Sequence, residues 1–229
     1  MVDDRYRDGE YLNKNPSWHV EESPYKAMNI LKILERNQLA PRSICEMGCG
    51  AGETLRQLQG KMDKGCIFTG YEISPQAYKL CKNRMNSRLQ FKLKDILAER
   101  RSCFDLMLVL DVLEHQEDYF SFLRKIKPKS EYKIIQTPLE INLFHLIKNS
   151  FLTFRDSVGH LHFFNDQMVF RIMKETGYEI IDFLYADYLD FPNQPLLYKF
   201  LGLGRNLIFG LNKSWGTRLG GYSLMVLAK

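Results

Sequence analysis

No C-x-x-C pair occurs in this 229-residue sequence, and its five cysteines, Cys45, Cys49, Cys66, Cys81 and Cys103, are odd in number. That excludes a fully paired disulfide framework and a cysteine-built zinc site, and the thiols read as reduced and buried in a cytoplasmic protein. No uninterrupted apolar run reaches the roughly 18 residues of a membrane span. The first twenty residues are polar, so no secretory signal is expected and the protein reads as soluble. A long basic stripe is missing too. The net charge of +5 is spread over small groups such as Arg100 with Arg101, or Lys125, Lys127 and Lys129, which reads as solvated surface and argues against a nucleic-acid partner.

What is present fits one globular domain: 45% hydrophobic and 26% charged residues over a length that supports a substantial core. The stretch that organises it is Ser43 to Leu55, SICEMGCGAGETL. A short strand pattern runs into glycines at every second position, Gly48, Gly50 and Gly52, and then into a helix start. Glycine serves where the chain takes positive φ or comes close to a ligand, and the free N–H groups of the following helix favour polar or anionic groups. A dinucleotide fingerprint would need glycine at position 53, where the chain has Glu53, so NAD is disfavoured.

Further acids follow in order at predicted strand ends. Cys66 to Glu72 reads as a second strand whose terminal acid, Glu72, is placed to accept hydrogen bonds from a ribose diol. A third strand, Leu89 to Leu93, runs into Asp95-Ile96, where Asp95 reads equally as a helix N-cap. Phe104 to Leu110 is almost continuously apolar, as a strand buried on both faces of a parallel sheet should be, and it delivers Asp111-Val112-Leu113-Glu114-His115 at its carboxyl end. The strand and helix alternation implies an α/β fold with a right-handed, doubly wound parallel sheet.

The series Glu46, Gly48, Gly50, Gly52, Glu72, Asp95 and the D-V-L-E-H segment resembles the class I S-adenosylmethionine (SAM) dependent methyltransferases. The last segment is similar to that of ubiquinone and menaquinone biosynthesis methyltransferases and their small-molecule relatives. The resemblance covers about residues 40 to 137. It implies a Rossmann-like seven-stranded sheet of order 3-2-1-4-5-7-6 with the last strand antiparallel. It also implies SAM as cofactor, with S-adenosylhomocysteine (SAH) as product, held by Glu46, the three glycines, Glu72, Ile73, Asp95, Ile96 and Asp111.

On that basis the chain is one methyltransferase domain, residues 1–229. Residues 1–38 form an arm and cap helix beginning at Ser23-Pro24, residues 40–137 the SAM-binding core, and residues 139–164 and 192–220 substrate-side insertions. Trp18 and His19 read as an aromatic staple or a pocket lining. Asn165 caps a helix ended by Gly177, and Tyr178 to Tyr185 and Gly221 to Ala228 are the last two strands. Leu196, Phe200, Leu203, Leu207 and Leu211 form an apolar stripe that packs on the domain or a second copy, or meets a membrane surface. Monomer and homodimer both remain open.

A sulfonium methyl is already activated, so transfer is an in-line displacement in which the enzyme supplies alignment and excludes water. The expected acceptor is a hydroxyl of a small, partly apolar molecule or lipid precursor. Its base is sought among His115, His160 and His162, because histidine titrates nearest neutrality. His160 and His162, two apart, point the same way if extended. The alternatives are a metal-dependent RNA 2′-O-methyltransferase and a SAM-fold protein without catalysis. In the resembling metal enzymes a divalent ion would fall to Asp111, Glu114, His115 and His160, with the first three on one face if helical. Relatives without metal share the same motif, and the metal-free role is kept first.

Overall fold

In the computed structural model, which describes Tyr6 and residues 8–99, 103–187 and 207–229, the apolar run Phe104–Leu110 is the central strand β4 of a seven-stranded sheet. The others are β1 (Ser43–Met47), β2 (Ile67–Glu72), β3 (Leu89–Leu93), β5 (Ser130–Pro138), β6 (Ile180–Asp187) and β7 (Tyr222–Ala228). Their order is β3-β2-β1-β4-β5-β7-β6. The first five are mutually parallel, and β7 lies antiparallel between β5 and β6. The order expected from the sequence is the one observed.

The alternation of side chains along each strand divides the core into two layers. Leu106, Leu108 and Leu110 of β4 join Ile44, Ile134 and Leu227 on one face, where helices α2 (Ser23–Arg36), α3 (Glu53–Lys61) and α4 (Pro75–Lys82) pack. Met107 and Val109 join Cys45, Ile135 and Val226 on the other, beneath α5 (Tyr119–Ile126) and α8 (Asp166–Glu175). Leu108 is fully buried, so truncating it to alanine would cost about 2 to 5 kcal/mol. Asp105, the polar residue of β4, accepts the backbone N–H groups of Arg42 (2.7 Å) and Ser43 (3.0 Å) and so ties β4 to the start of β1.

Helix starts follow from short polar side chains. Asn165 accepts the Met168 N–H at 2.9 Å, and Gly177 at φ 85° ends the turn after α8. The start of α2 differs from expectation: Ser23 lies inside the helix, Glu22 precedes it, and no side chain caps it. The arm is more ordered than its lack of period implied, with helix α1 (Glu10–Lys14) and a 3₁₀ turn at Val20–Glu22. Residues 139–164 hold two short helices, α6 (Leu143–Lys148) and α7 (Phe151–Ser157). Of the expected insertion 192–220, residues up to 206 lie outside the described residues, with Leu196, Phe200 and Leu203. Residues 207–211 are helical, followed by α9 (Lys213–Leu219). Among the described residues no helix is long and apolar enough to cross a membrane.

Candidate functional site

The chain reverses direction across the sheet between β1 and β4, the position at which open α/β sheets hold ligands beyond their strand carboxyl ends. A cavity of about 520 Å³ opens there, of a size suited to a small molecule. Its lower wall is the glycine loop, Glu46, Glu72 and Ile73, and its upper wall is Glu114, His115, Glu140 and His160. Trp18, His19 and Tyr11 from the arm, with Phe154 and Val158 after β5, close its sides. Trp18 and His19 therefore line the pocket, both at positive φ (48° and 55°).

The lower wall is held by the backbone. Glu72 accepts three N–H groups, from Gly50, Ile73 and Ser74, each at 2.8 Å. Burial raises its pKa, and those three bonds oppose the shift. A carboxylate has about four acceptor sites, so capacity for about one more donor, such as one hydroxyl of a diol, remains on Oε2. Gly50 sits at φ 55°, and a Cβ there would point toward Trp18 at 3.6 Å. Gly52 is required for a different reason. It does not line the cavity, and a Cβ on it would stand 2.4 Å from the Phe91 ring.

Three charges meet at the junction of the two walls. Lys26 of α2 reaches Asp111 at 2.7 Å and Glu22 at 2.9 Å. Burial opposes its charge, but Asp111 and then Glu22 outweigh it and raise the Lys26 pKa. Gln136 donates to both oxygens of Asp111 at 3.1 Å. Glu46 beside them keeps one buried oxygen, Oε2, with no hydrogen-bond partner, and burial pushes its pKa up to about 8.

Asp111 does not begin a helical face with Glu114 and His115. It sits at φ 53°, and a 3₁₀ turn at Leu113–His115 follows, so its side chain turns to Lys26 while Glu114 and His115 turn upward. The metal set read from the sequence therefore loses Asp111. Glu114, His115 and His160 do come together, with one ligand atom of each within 4.8 Å of the others. The backbone explains why: the Glu114 carbonyl accepts the N–H groups of Leu161 (2.9 Å) and His162 (3.1 Å), stitching the segment after α7 onto the turn.

Hydrogen bonds fix the histidine tautomers. His160 Nδ1 donates to both oxygens of Glu140 at 2.9 Å, which leaves Nε2 as a lone pair 4.0 Å from Glu114 Oε1. His115 Nδ1 donates to the Gly159 carbonyl at 3.1 Å and lies 3.0 Å from the Tyr6 hydroxyl. Glu114 is fully buried. Its Oε2 accepts from Thr137 at 3.1 Å, its Oε1 has no partner, and burial holds its pKa well above the carboxylate range.

Besides Gly52, three residues expected at the site lie outside the cavity wall. His162 points away from the cavity, toward the Glu117 carbonyl and the Tyr119 ring, so the two histidines do not share a direction. Asp95 accepts the Leu97 N–H at 2.8 Å and caps the turn Ile96–Ala98, and Ile96 is buried in the core; neither lines the cavity. The extended run before a 3₁₀ turn makes Asp95 a cap first. Lys26 and Glu140 were not anticipated. A cation at 26, four before Ile30 and seven before Ile33 on a buried helical face, was the signal for Lys26.

Residues 19–182 match the sequence family described as "Methyltransferase domain". The curated ajmaline N-methyltransferase of Rauvolfia serpentina is 30% identical over 93 residues, which is 38% of this chain and 31% of that protein, so the alignment spans about a third of its length. Among solved structures, magnesium protoporphyrin IX methyltransferase from Synechocystis PCC 6803 with bound SAH superposes with a TM-score of 0.61 at 15% identity, covering 90% of this chain and 82% of that one. The N-methyltransferase NodS from Bradyrhizobium japonicum WM9, also with SAH, gives 0.56 at 16% identity over 89% and 85%. At such identities these likenesses establish the fold.

Proposed function

The chain belongs to the methyltransferase-domain family, and we propose that it is a SAM-dependent methyltransferase acting on a hydroxyl of a small, partly apolar acceptor. The cofactor fits the lower wall. Glu46 Oε2 is a buried carboxyl oxygen without a partner, beside Lys26 and Asp111, and a cationic ligand would give it one and favour its ionised form. When bound, SAM supplies a sulfonium methyl carbon that needs no further activation. Glu72 would hold the ribose, Gly48 and Gly50 admit the backbone to close contact, and the aromatic rings of the arm keep water out.

The observation that carries the acceptor reading is the His160–Glu140 pair. Glu140 holds the proton on Nδ1, so Nε2 faces the cavity as an acceptor, the arrangement of a general base for an O–H proton. Glu114, its pKa raised by burial, lies beside it, with Oε1 4.0 Å from Nε2. Untargeted mass spectrometry of cell extract incubated with the protein and methyl-labelled SAM tests the reading. Label is expected in a methyl ether, and label in N-methyl products alone would overturn the hydroxyl assignment.

A second reading is favoured by the unpartnered Glu114 Oε1. A divalent ion held by Glu114, His115 and His160 would satisfy that oxygen, and both imidazoles already donate their other nitrogen to an oxygen acceptor, as metal-bound histidines do. Such an ion would lower the pKa of an acceptor hydroxyl. Activity lost on chelation and restored by magnesium or manganese selects this reading; activity indifferent to chelator selects the base. Label in RNA 2′-hydroxyls would select the nucleic-acid alternative, and SAM binding without label in any product the non-catalytic one.

A further inference from the structure

Nine of the sixteen exposed large apolar side chains among the described residues fall in two short segments, 143–152 and 207–215. Ile147 is 76% exposed, Leu152 68%, Leu207 72%, Leu211 84% and Trp215 59%. The segments are neighbours in space: α9 packs on α6, and a Cβ on Gly220 would meet Asn142 at 2.8 Å and Phe144 at 3.3 Å. A soluble monomer rarely leaves so much apolar surface contiguous unless something docks on it.

Charge identifies the occupant. Through the end of α7, residues 143–157 carry one carboxylate, Asp156, and residues 207–219 carry none, while the cations of the two stretches are Lys148, Arg155, Lys213 and Arg218. Two of these cations lie over the apolar rings they border, Lys148 at 4.4 Å from Phe144 and Arg218 at 4.9 Å from Trp215. Apolar side chains bordered by cations, with a tryptophan among them, suit the boundary between anionic headgroups and acyl chains. A second copy is disfavoured by the same charges, because a two-fold interface through this patch would set the four cations against themselves. We propose that this surface docks on an anionic lipid membrane.

The surface also leads to the site. The α7 segment that follows Leu152 places Phe154 and Val158 in the cavity wall, so a molecule leaving the bilayer would meet the upper wall next. That the surface delivers the acceptor rests on the proposed function; that it binds membrane does not.

Co-sedimentation of the full chain with vesicles of phosphatidylcholine alone, and of phosphatidylcholine mixed with phosphatidylglycerol, tests the docking. Pelleting is expected with the mixed vesicles, little with the neutral ones, and less at high salt. Lys213→Glu with Arg218→Glu should weaken binding about tenfold or more. Leu211→Asp with Trp215→Asp should remove it, while both variants keep the parent's melting temperature and SAH titration, read without vesicles. A parent that ignores anionic vesicles, or variants that bind like the parent, would overturn the proposal and leave a protein as the occupant. So would a dimer in light scattering that Leu211→Asp with Trp215→Asp dissolves, since the surface would then join two copies.

Discussion

Glu72 on the lower wall of the cavity is held by three backbone N–H groups, whereas His160 on the upper wall is held by one carboxylate side chain, and His115 by a loop carbonyl and a tyrosine of the arm. A group fixed by the backbone keeps its place when a neighbouring side chain changes, because the strand ends that supply the N–H groups are themselves locked in the sheet. A group fixed by one side chain loses its orientation when that partner goes. The lower wall is thus the durable half, suited to an invariant cofactor, and the upper wall the half that single substitutions can re-aim toward another acceptor.

The largest expected effect separates the halves by chemistry. His160→Ala should lower turnover by about 10² to 10⁴ while leaving SAH affinity within about twofold, with partial recovery at higher pH if the imidazole is the base. Single-turnover rates beside calorimetry check this, and loss of both properties together would join the two walls into one unit.

Lys26→Met should act on both halves, because it leaves Asp111 and Glu22 facing each other without their cation. A loss of about 3 kcal/mol in unfolding free energy is expected, the lower end for breaking a buried pair. Urea denaturation measures it, and a neutral result would mean that water already screens these charges.

A smaller effect belongs to the lower wall alone. Glu72→Ala should weaken SAM binding by about 1.5 to 3 kcal/mol, the scale of hydrogen bonds with a charged partner, with the base chemistry of the bound fraction unchanged. Turnover at saturating SAM is the check, and a fall there would contradict the division.

The smallest effect is a pH slope. The Glu46 carboxyl, raised to about 8 in the folded protein, is protonated below that pH, and a cationic ligand favours its ionised form. Binding of SAM below pH 8 must therefore release a proton, and affinity should rise with pH by at most about tenfold per unit and level off above it. Calorimetry in buffers of different ionisation enthalpy reads the proton, and Glu46→Gln should abolish its release. For stability the sign is opposite: a folded pKa above the unfolded one gives a contribution present below the unfolded carboxyl pKa and lost as pH rises through 8.

The same difference between the walls explains what could be read from the sequence. The strand and helix alternation, the glycine loop and Glu72 follow from spacing, because backbone geometry at strand ends repeats whenever the pattern does, and the sheet order follows from the family resemblance those motifs carry. Asp95 and Gly52 stand where the pattern asks, and in the structure one caps a turn and the other makes room for Phe91. The upper wall depends on side chains brought together by loops, as when Tyr6 meets His115 across 109 positions, and no local pattern encodes that. His160 and His162 illustrate the limit, since the chain from 158 to 165 is irregular and two-residue periodicity assigns directions only in a strand.

Calorimetric titration of SAH into the parent, Glu72→Ala and His160→Ala proteins tests the central claim most directly. One site per chain is expected in the parent, weakened in Glu72→Ala and unchanged in His160→Ala. A parent that binds NAD and not SAH, or a His160→Ala protein that loses SAH along with turnover, would contradict it.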